Sequence, residues 1–369
     1  MKENTTIYRG ANCISANAEA LNLGKKCLIV TGRTSAIKSG ALRDVTAVLN
    51  GLQIPFTVYN GITENPLYAH CREAGEMARD FGAEFVIGIG GGSPLDAAKA
   101  AAVFACNPAI EEAALFDPIV EKPCLPIVAI PLTAGTGSEV NRYSVLTVGD
   151  KKKSFSTPDT LPVAAFLDPR YLRTLNGNYT VSTAMDAFCH CIESYLSPKS
   201  TPVSEENALR GGKLMWELLT QNDFRPHDRD AAGLTEEQRL ASLEGAACGG
   251  LAIKVTGTGF PHPLGYGITL RDGVPHGRAC GAFIGAFVER NMTTEVGKTR
   301  LTAFAEAIGT TPDMIAAVIP ALADVNLTYT DEEIASMAEK VSGAKNYGNA
   351  PYVLDDEEAI AILTDLVGQ

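Results

Sequence analysis

The chain has 369 residues, of which 46% are hydrophobic and 20% are charged, and its formal net charge is −12. This length is typical of two domains with buried cores. The negative charge and the lack of long basic runs exclude nucleic acid as the expected partner. No apolar stretch reaches the roughly 18 residues of a membrane helix, and the polar start MKENTTIYRG has no secretory signal core. We therefore expect a cytoplasmic protein without a membrane partner.

Nine cysteines are scattered along the chain without a CxxC pair. An odd, unpatterned set is typical of reduced thiols in a cytosol, and we expect most of them to pack as small apolar side chains. Cys189 and Cys191 flank His190, which suggests a metal cluster. Residues two apart on a helix point to different faces, however, so the sequence favours packing for this pair.

Short β-branched runs alternate with helical patterns in the first half of the chain. The candidate strands are 27–31, 56–59, 85–89, 127–131 and 165–168, with helical patterns at 39–50 and 67–81. Such alternation with continuously apolar strands predicts a parallel sheet covered by helices on both faces. The runs 144–148 and 153–156, separated by Gly-Asp-Lys, predict a hairpin.

Helical periodicity dominates after about Tyr171, and no segment there has a convincing strand pattern. The helical segments are 181–196, 204–220, 235–252, 277–290, 298–308, 312–322 and 331–341. The predicted fold is therefore an α/β domain over residues 1–171 followed by an all-α domain over residues 172–369.

Three consecutive glycines, Gly90, Gly91 and Gly92, follow a predicted strand and precede a predicted helix. Ser93 suits the helix N-cap and Pro94 the first helical position. Glycine lets the backbone approach an anion closely, and a helix N-terminus offers free N–H groups to phosphate. The GxGxxG fingerprint is not met because Ser93 occupies its last glycine position, so a tight connection without a ligand is the alternative.

A second turn, Pro131-Leu-Thr-Ala-Gly-Thr-Gly-Ser-Glu139, also follows a predicted strand and is rich in hydroxyl groups. In the alternative interpretation, Thr136 and Ser138 only cap a following helix. Open α/β sheets bind ligands at the carboxyl ends of their strands. Two such turns therefore favour a Rossmann-like domain that binds a nucleotide.

Three of the five histidines, His190, His262 and His276, lie in apolar, glycine-rich parts of the second half. Asp186 and His190 are four residues apart on a predicted helix, so both point to one side. An Asp–His hydrogen bond in the core is the alternative for this pair alone. Two further histidines in the same domain favour a mononuclear metal site. One carboxylate and three imidazoles suit Fe²⁺ or Zn²⁺, and an open ligand position makes such an ion a Lewis acid.

These motifs together resemble the iron-containing (group III) alcohol dehydrogenases, in the family's order and over nearly the whole chain. The matching segments are 90–99, 131–139, Asp186-xxx-His190, and His262 with Pro275-His276-Gly277. The resemblance implies a homo-oligomeric, metal-dependent NAD(P) oxidoreductase of small alcohols, aldehydes and ketones, with Fe²⁺ or alternatively Zn²⁺. The implied metal ligands are Asp186, His190, His262 and His276. The implied dinucleotide contacts are Gly90, Gly91, Gly92, Ser93, Asp96, Thr133, Thr136, Ser138 and Lys152, with Lys153 as the alternative lysine.

Two positions depart from the family pattern. Many members have a further histidine four residues after the third metal ligand, where this chain has Tyr266. We expect Tyr266 to face the substrate and to hold a different proton relay. Many NAD-using members have Asp after the first strand, where this chain has Gly32 followed by Arg33. A carboxylate there binds the ribose 2′-hydroxyl of NAD and repels a 2′-phosphate, so Gly32 predicts NADP(H), with NAD(H) as the alternative.

Three other functions stay open at this point: a polyol (glycerol-like) dehydrogenase, a dehydroquinate-synthase-like lyase, and a metal-free binding protein on the same fold. The lyase needs a cluster of basic residues for a phosphorylated acid, and the region 186–278 is poor in them. The presence of all four candidate metal ligands disfavours the metal-free binding protein.

Overall fold

The computed structural model describes residues 4–116, 123–222 and 233–367 of the chain. The chain divides into two compact units, Met1–Asn176 with Asp230–Leu243, and Gly177–Arg229 with Glu244–Gln369. The first unit is α/β, and the described elements of the second are all helices. This confirms the predicted fold class. Among the described residues, no helix is both long enough and apolar enough to span a membrane.

Six parallel strands form the sheet of the α/β unit. They are β1 Thr6–Arg9, β2 Cys27–Gly32, β3 Phe56–Ile62, β4 Phe85–Gly90, β5 Ile127–Pro131 and β8 Ala164–Leu167. Their order is β1-β8-β5-β4-β2-β3, so the chain order reverses between β2 and β4. Ligands bind open α/β sheets beside such a reversal, at the carboxyl ends of the strands.

Two further strands, β6 Tyr143–Val148 and β7 Lys151–Ser156, pair antiparallel as the predicted hairpin. Gly149 in the turn has φ 60°, a left-handed conformation that glycine adopts without strain.

Helices cover both faces of the six-stranded sheet because alternate strand residues point to opposite sides. The helices of this half are α1 Cys13–Ala16, α2 Ser35–Lys38, α3 Ala41–Gly51, α4 Tyr68–Phe81, α5 Gly92–Cys106 and α6 Glu112–Phe116. Ile29 of β2 packs in a core with Val45 of α3, and Leu28 packs in a second core with Ala74 of α4. The predicted strands are thus confirmed, and β1 at the sheet edge is an addition to them.

The second half of the chain is helical. Its helices are α7 Gly177–Leu196, α8 Pro202–Gln221, α9 Glu236–Thr256, α10 Pro261–Asp272, α11 His276–Gly281, α12 Ile284–Met292, α13 Glu295–Ile308, α14 Pro312–Ala323, α15 Asp331–Val341 and α16 Asp356–Val367. The single helix predicted over 277–290 is wrong, because α11 and α12 are separate. The amide of Phe283 donates to the carbonyl of Cys280, a short-range bond that closes the last turn of α11.

The nine cysteines all lie within the described ranges, and none of them forms a disulfide. Cys189 and Cys191 are fully buried in α7, and burial raises the pKa of both thiols. Both cysteines are therefore buried packing residues, the role that the sequence favours for them.

Candidate metal centre and dinucleotide-binding turns

The two glycine-containing turns lie side by side in the α/β unit. Gly90 at the end of β4 pairs with Pro131 at the end of β5, and the amide of Leu132 donates to the carbonyl of Gly90 at 2.8 Å. A Cβ atom on Gly91 would lie 3.2 Å from the Thr133 side chain. One on Gly92 would lie 2.7 Å from Cγ2 of Thr136. Glycine at 92 therefore avoids a clash between the turns and glycine at 91 avoids a tight contact, whatever ligand the turns bind.

The predicted N-cap at Ser93 is wrong, since α5 begins at Gly92 and its N-cap is Gly91. The extended backbone of Gly91 accepts the first helical hydrogen bond, from the amide of Leu95 at 3.3 Å, so no capping side chain is needed. The hydroxyl of Ser93 instead accepts a hydrogen bond from the amide of Asn65 at 3.1 Å. The alternative in which Thr136 and Ser138 cap a helix is also wrong, because the next element is β6.

Asp96 and Ser138 use their side chains within the α/β unit. Asp96 Oδ1 accepts from the Ser138 hydroxyl at 2.6 Å, and Oδ2 accepts from the amide of Val145 at 2.9 Å. Lys99, which sequence reasoning missed, donates to the Ser138 hydroxyl at 2.6 Å and to the carbonyl of Tyr143 at 2.7 Å. These hydrogen bonds connect the second turn and the hairpin to α5. In the sequence, the three-residue spacing of Asp96 and Lys99 could have indicated the network, because it places both residues on one face of a helix.

Lys99 has no solvent exposure, and its burial lowers the pKa of its ammonium group to about 8 although Asp96 and Glu139 oppose that shift. Burial likewise raises the pKa of Glu139 to about 7 against the pull of Lys99. Two opposite charges thus share an environment that disfavours both.

The two candidate lysines lie on opposite faces of the hairpin. Lys153 Nζ pairs with Glu112 at 3.0 Å and lies over the Phe116 ring. Lys152 pairs across the hairpin with Thr147, whose hydroxyl donates to the carbonyl of Asn65 at 3.3 Å. Because cross-strand partners share a face, Lys152 lies on the side of the hairpin that is tied to Asn65, the residue that also contacts Ser93.

Gly32 ends β2, next to the reversal in strand order. The φ angle of Gly32 is not positive, so its backbone conformation is one that other residues adopt as well. A Cβ atom there would meet nothing closer than the Ile62 carbonyl and the Ser35 hydroxyl, both at 3.5 Å. Neither φ nor crowding therefore demands the glycine, which lies at an irregularity in the pairing of β2 with β3. Arg33, which follows it, is exposed.

The four candidate metal ligands converge in the helical unit. Asp186 and His190 lie on α7, His262 lies on α10, and His276 is the first residue of α11. Asp186 Oδ1 lies 3.6, 3.5 and 3.8 Å from the Nε2 atoms of His190, His262 and His276, respectively. Ligands about 2.0–2.2 Å from a tetrahedral ion are ~3.3–3.6 Å apart. The spacing between Asp186 and each of the three histidines therefore fits ligands of one ion.

Two buried donor atoms support this fit. Within the described part of the chain, neither Asp186 Oδ1 nor His262 Nε2 has a hydrogen-bond partner. An unsatisfied buried polar atom costs on the order of 1–3 kcal/mol, and a cation placed among these atoms satisfies both. Burial opposes ionisation of Asp186, but His190 and the other histidines hold the pKa of its carboxyl below the ordinary range. The site is thus electrostatically suited to a divalent cation.

Glycines let the ligand-bearing helices approach closely. A Cβ atom on Gly277 would lie 1.7 Å from the carbonyl oxygen of Ser182 on α7. One on Gly249 of α9 would lie 3.3 Å from Cβ of His190. The short imidazole of His276 can reach Asp186 only because α11 begins against the backbone of α7.

Glu193 is a residue of this site that sequence reasoning missed. It is fully buried on α7, and both carboxylate oxygens lie 2.9 Å from Nδ1 of His262. Burial lowers the pKa of His262, but Glu193 and Asp186 outweigh it and raise that pKa to about 10. A carboxylate on the outer nitrogen fixes the ring and leaves Nε2 for an ion. The sequence could have indicated Glu193 through its position seven residues after Asp186, on the same face of the helix.

The candidate metal centre is most exposed on the side of His276. The side chain of His276 is 26% exposed, against 6% for His190 and 3% for His262. The half-buried Tyr266 stacks on His276, with ring centroids 5.3 Å apart and an interplanar angle of 22°. Tyr266 therefore lies beside the candidate ligand that solvent reaches.

Two sequence profiles of one protein family match this chain. The profile of iron-containing alcohol dehydrogenase matches residues 4–169, and the C-terminal profile of the Fe-containing alcohol dehydrogenase family matches residues 180–367. Alcohol dehydrogenase 4 of Schizosaccharomyces pombe is 29% identical over 287 residues, which cover 76% of this chain and 65% of that protein.

Solved structures show the same similarity. An iron-containing alcohol dehydrogenase from Thermotoga maritima is 32% identical with a TM-score of 0.89, and the match covers 98% of each chain. Sulfoacetaldehyde reductase from Bifidobacterium kashiwanohense, solved in complex with NAD⁺, is 28% identical with a TM-score of 0.83, covering 98% of this chain and 96% of that one. The function class predicted from the sequence, alcohol–carbonyl oxidoreduction, is confirmed at the level of the family. The chain belongs to the iron-containing alcohol dehydrogenase family of oxidoreductases.

Proposed function

We propose that this protein is a metal-dependent, NADP(H)-preferring alcohol dehydrogenase that interconverts small alcohols and their aldehydes or ketones. The observation that carries the proposal is the convergence of Asp186 Oδ1 with the Nε2 atoms of His190, His262 and His276. A buried carboxylate oxygen that has no hydrogen-bond partner among the described residues and faces three imidazoles is better explained by a bound catalytic ion than by core packing alone.

In this proposal the four residues hold Fe²⁺, the metal that the family's name indicates, with Zn²⁺ as the alternative that the same donors accept. The bound ion supplies Lewis acidity to the substrate oxygen, and the dinucleotide supplies or accepts the hydride. Glu193 orients His262. Tyr266, on the exposed side beside His276, carries a hydroxyl suited to relay the alcohol proton.

The dinucleotide in this proposal binds the turns at the carboxyl ends of β2, β4 and β5. The backbone of Gly90, Gly91 and Gly92 and the hydroxyls of Ser93, Thr133 and Thr136 offer donors to its phosphates and riboses. Asp96 and Ser138 act through their mutual hydrogen bond, which holds the second turn in place. Lys152 is favoured over Lys153, because Glu112 and Phe116 engage Lys153 on the other face of the hairpin.

Gly32 supports the preference for NADP(H). Since neither φ nor crowding demands glycine there, its lack of a carboxylate is the property that a 2′-phosphate requires. The Bifidobacterium reductase binds NAD⁺, and NAD(H) is accordingly the alternative.

Metal analysis together with a nicotinamide absorbance assay tests the proposal. The purified protein should contain about one divalent ion per chain and oxidise NADPH in the presence of a member of an aldehyde panel. His276→Ala should lose most of its metal and its turnover while it still binds NADPH. His70→Ala, which removes a histidine of the α/β unit, is the matched control. Full metal and activity in His276→Ala contradict the site, and a metal-free wild type contradicts the proposal.

A further inference from the structure

Cys280 places its sulfur beside the candidate metal ligands. It lies one helical turn after His276 on α11, so the two side chains share a face. Its Sγ is 3.7 Å from both Nδ1 and Nε2 of His276. Sγ and the ligand atoms of Asp186, His262 and His276 all lie within 4.8 Å of one another. The residue has no solvent exposure.

The two unsatisfied atoms of the candidate metal centre belong to residues of the same cluster. Asp186 Oδ1 and His262 Nε2, on residues 3% and 2% exposed, have no hydrogen-bond partner in the described part of the chain. Thiolate and imidazole ligands, at ~2.3 and ~2.0–2.1 Å from one ion, are ~3.1–3.8 Å apart when the angle between them at the ion is about 90–120°. The observed distance of 3.7 Å from Sγ to Nε2 of His276 lies in that range.

Close helix packing fixes the position of this sulfur. A Cβ atom on Gly265 of α10 would lie 3.0 Å from the amide nitrogen of Cys280 and 3.1 Å from Sγ. Glycine at 265 therefore allows α10, which carries His262, to approach α11 at Cys280. The sulfur thus packs between Gly265 of α10 and the ring of His276.

We propose that Cys280 binds the metal ion as a thiolate ligand, in addition to Asp186, His190, His262 and His276. The inference rests on the metal site of the proposed function. On binding, the S–H bond breaks, the proton passes to the solvent, and a sulfur lone pair forms the metal–sulfur bond without any change of oxidation state. A thiolate is a softer ligand than carboxylate or imidazole, so Cys280 raises the affinity for Zn²⁺ and Co²⁺ more than that for Fe²⁺.

X-ray absorption of the zinc-loaded, full-length protein tests this directly. The wild type should show a sulfur scatterer at ~2.3 Å beside nitrogen and oxygen at ~2.0–2.2 Å. The cobalt-loaded wild type should show thiolate-to-cobalt charge-transfer absorption. Cys280→Ser should lose both signals, and its affinity for Zn²⁺ should fall about tenfold or more, at least the loss that removing an outer partner of a ligand causes.

Cys191→Ser is the matched control, since it removes another buried thiol of the helical unit, one that packs against Gly211 on α8. It should keep both sulfur signals. A wild-type ion surrounded only by nitrogen and oxygen overturns the role of Cys280 and leaves the proposed function intact. A wild type that binds no ion overturns both. The wild-type spectrum alone decides the question if Cys280→Ser does not fold.

Discussion

Nδ1 of His262 lies 2.9 Å from both carboxylate oxygens of Glu193, while Nε2 of the same ring faces Asp186 Oδ1 at 3.5 Å. One imidazole thus joins a fully buried carboxylate to the candidate metal ligands. A carboxylate at Nδ1 favours a proton on that nitrogen, so the proton that a metal ion displaces from this ring is the one on Nε2. The outer carboxylate is therefore part of the candidate metal site although it is no candidate ligand itself.

Glu193→Gln should weaken metal binding while the fold is kept. Glutamine keeps the size of the side chain and an oxygen that accepts from Nδ1, but it removes the charge that makes the ring a stronger donor. We expect the affinity for Zn²⁺ to fall about 10- to 100-fold, measured by competition with a chelator. Glu205→Gln, which changes a glutamate of the same unit that pairs with Arg300, is the control. Unchanged affinity in Glu193→Gln contradicts the role of the outer carboxylate.

Gly277→Ala should damage the metal centre through packing. The new methyl carbon would lie 1.7 Å from the Ser182 carbonyl oxygen, so α11 must move away from α7 and carry His276 with it. We expect a loss of about 3 kcal/mol of unfolding free energy, at the upper end of typical overpacking, together with loss of bound metal. Urea unfolding and elemental analysis measure the two effects.

Gly348→Ala provides the comparison for that variant, because nothing lies within 4 Å of a Cβ atom at this position and its φ needs no glycine. It should change stability little. Normal stability and metal content in Gly277→Ala would show that α11 can begin elsewhere.

Local patterns in the sequence predicted the parts of the site that depend on local geometry. Asp186 and His190 share a face because they are one helical turn apart, and the carboxyl ends of β4 and β5 meet because parallel strands pair. The contact between Glu193 and His262 joins residues 69 positions apart, and no periodicity encodes it. The role of Lys99 is hidden for the same reason, since its partners Ser138 and Tyr143 come from the next turn and the hairpin.

Tertiary packing also overrode local propensity. Helix α10 contains Gly265 and Gly267, residues that disfavour a helix interior, and no helix is predicted there. Yet a Cβ atom on Gly267 would lie 2.6 Å from the Met337 side chain, and Gly265 is packed against Cys280 in the same way. These glycines allow the helices to approach each other closely. A helix-propensity scale records only that glycine destabilises an isolated helix.

Glu139→Gln should change how stability depends on pH. Burial raises the pKa of Glu139 from 4.5 to about 7, so between these values the folded state holds more protons than the unfolded state. The contribution of Glu139 to the unfolding free energy is therefore complete below pH 4.5 and is lost as pH rises to 7. Glutamine does not ionise, so the variant does not lose stability in this way. The unfolding free energy of the variant relative to wild type should rise by up to about 3 kcal/mol between pH 4.5 and 7.

Urea titrations of both proteins at several pH values measure this difference, in which the contributions of carboxylates that do not interact with Glu139 or Lys99 cancel. Glu111→Gln, at an exposed position of the same unit, should give a flat difference. A difference that falls with pH for Glu139→Gln contradicts the sign derived from burial.

Gly32→Asp should reverse the choice of dinucleotide. A carboxylate at the end of β2 accepts hydrogen bonds from the ribose 2′-hydroxyl of NAD and repels the 2′-phosphate of NADP. The new side chain fits, since its Cβ atom meets only ordinary contacts at 3.5 Å, so the fold should be kept. We expect the wild type to prefer NADPH. An unpaired like-charge contact costs on the order of 1–3 kcal/mol, so the ratio of kcat/KM for NADPH over NADH should fall about 10- to 100-fold in the variant.

Both reduced cofactors are compared with one aldehyde, in wild type, Gly32→Asp and Gly51→Asp. Gly51 is an exposed residue at the end of α3 with open space around its Cα, so this variant adds the same charge elsewhere on the α/β unit. Its cofactor ratio should match that of the wild type, which separates a local contact from the effect of net charge. A wild type that clearly prefers NADH contradicts the assignment of Gly32 as the position that admits the 2′-phosphate. Metal content should be the same in all three proteins, because the candidate metal ligands belong to the helical unit.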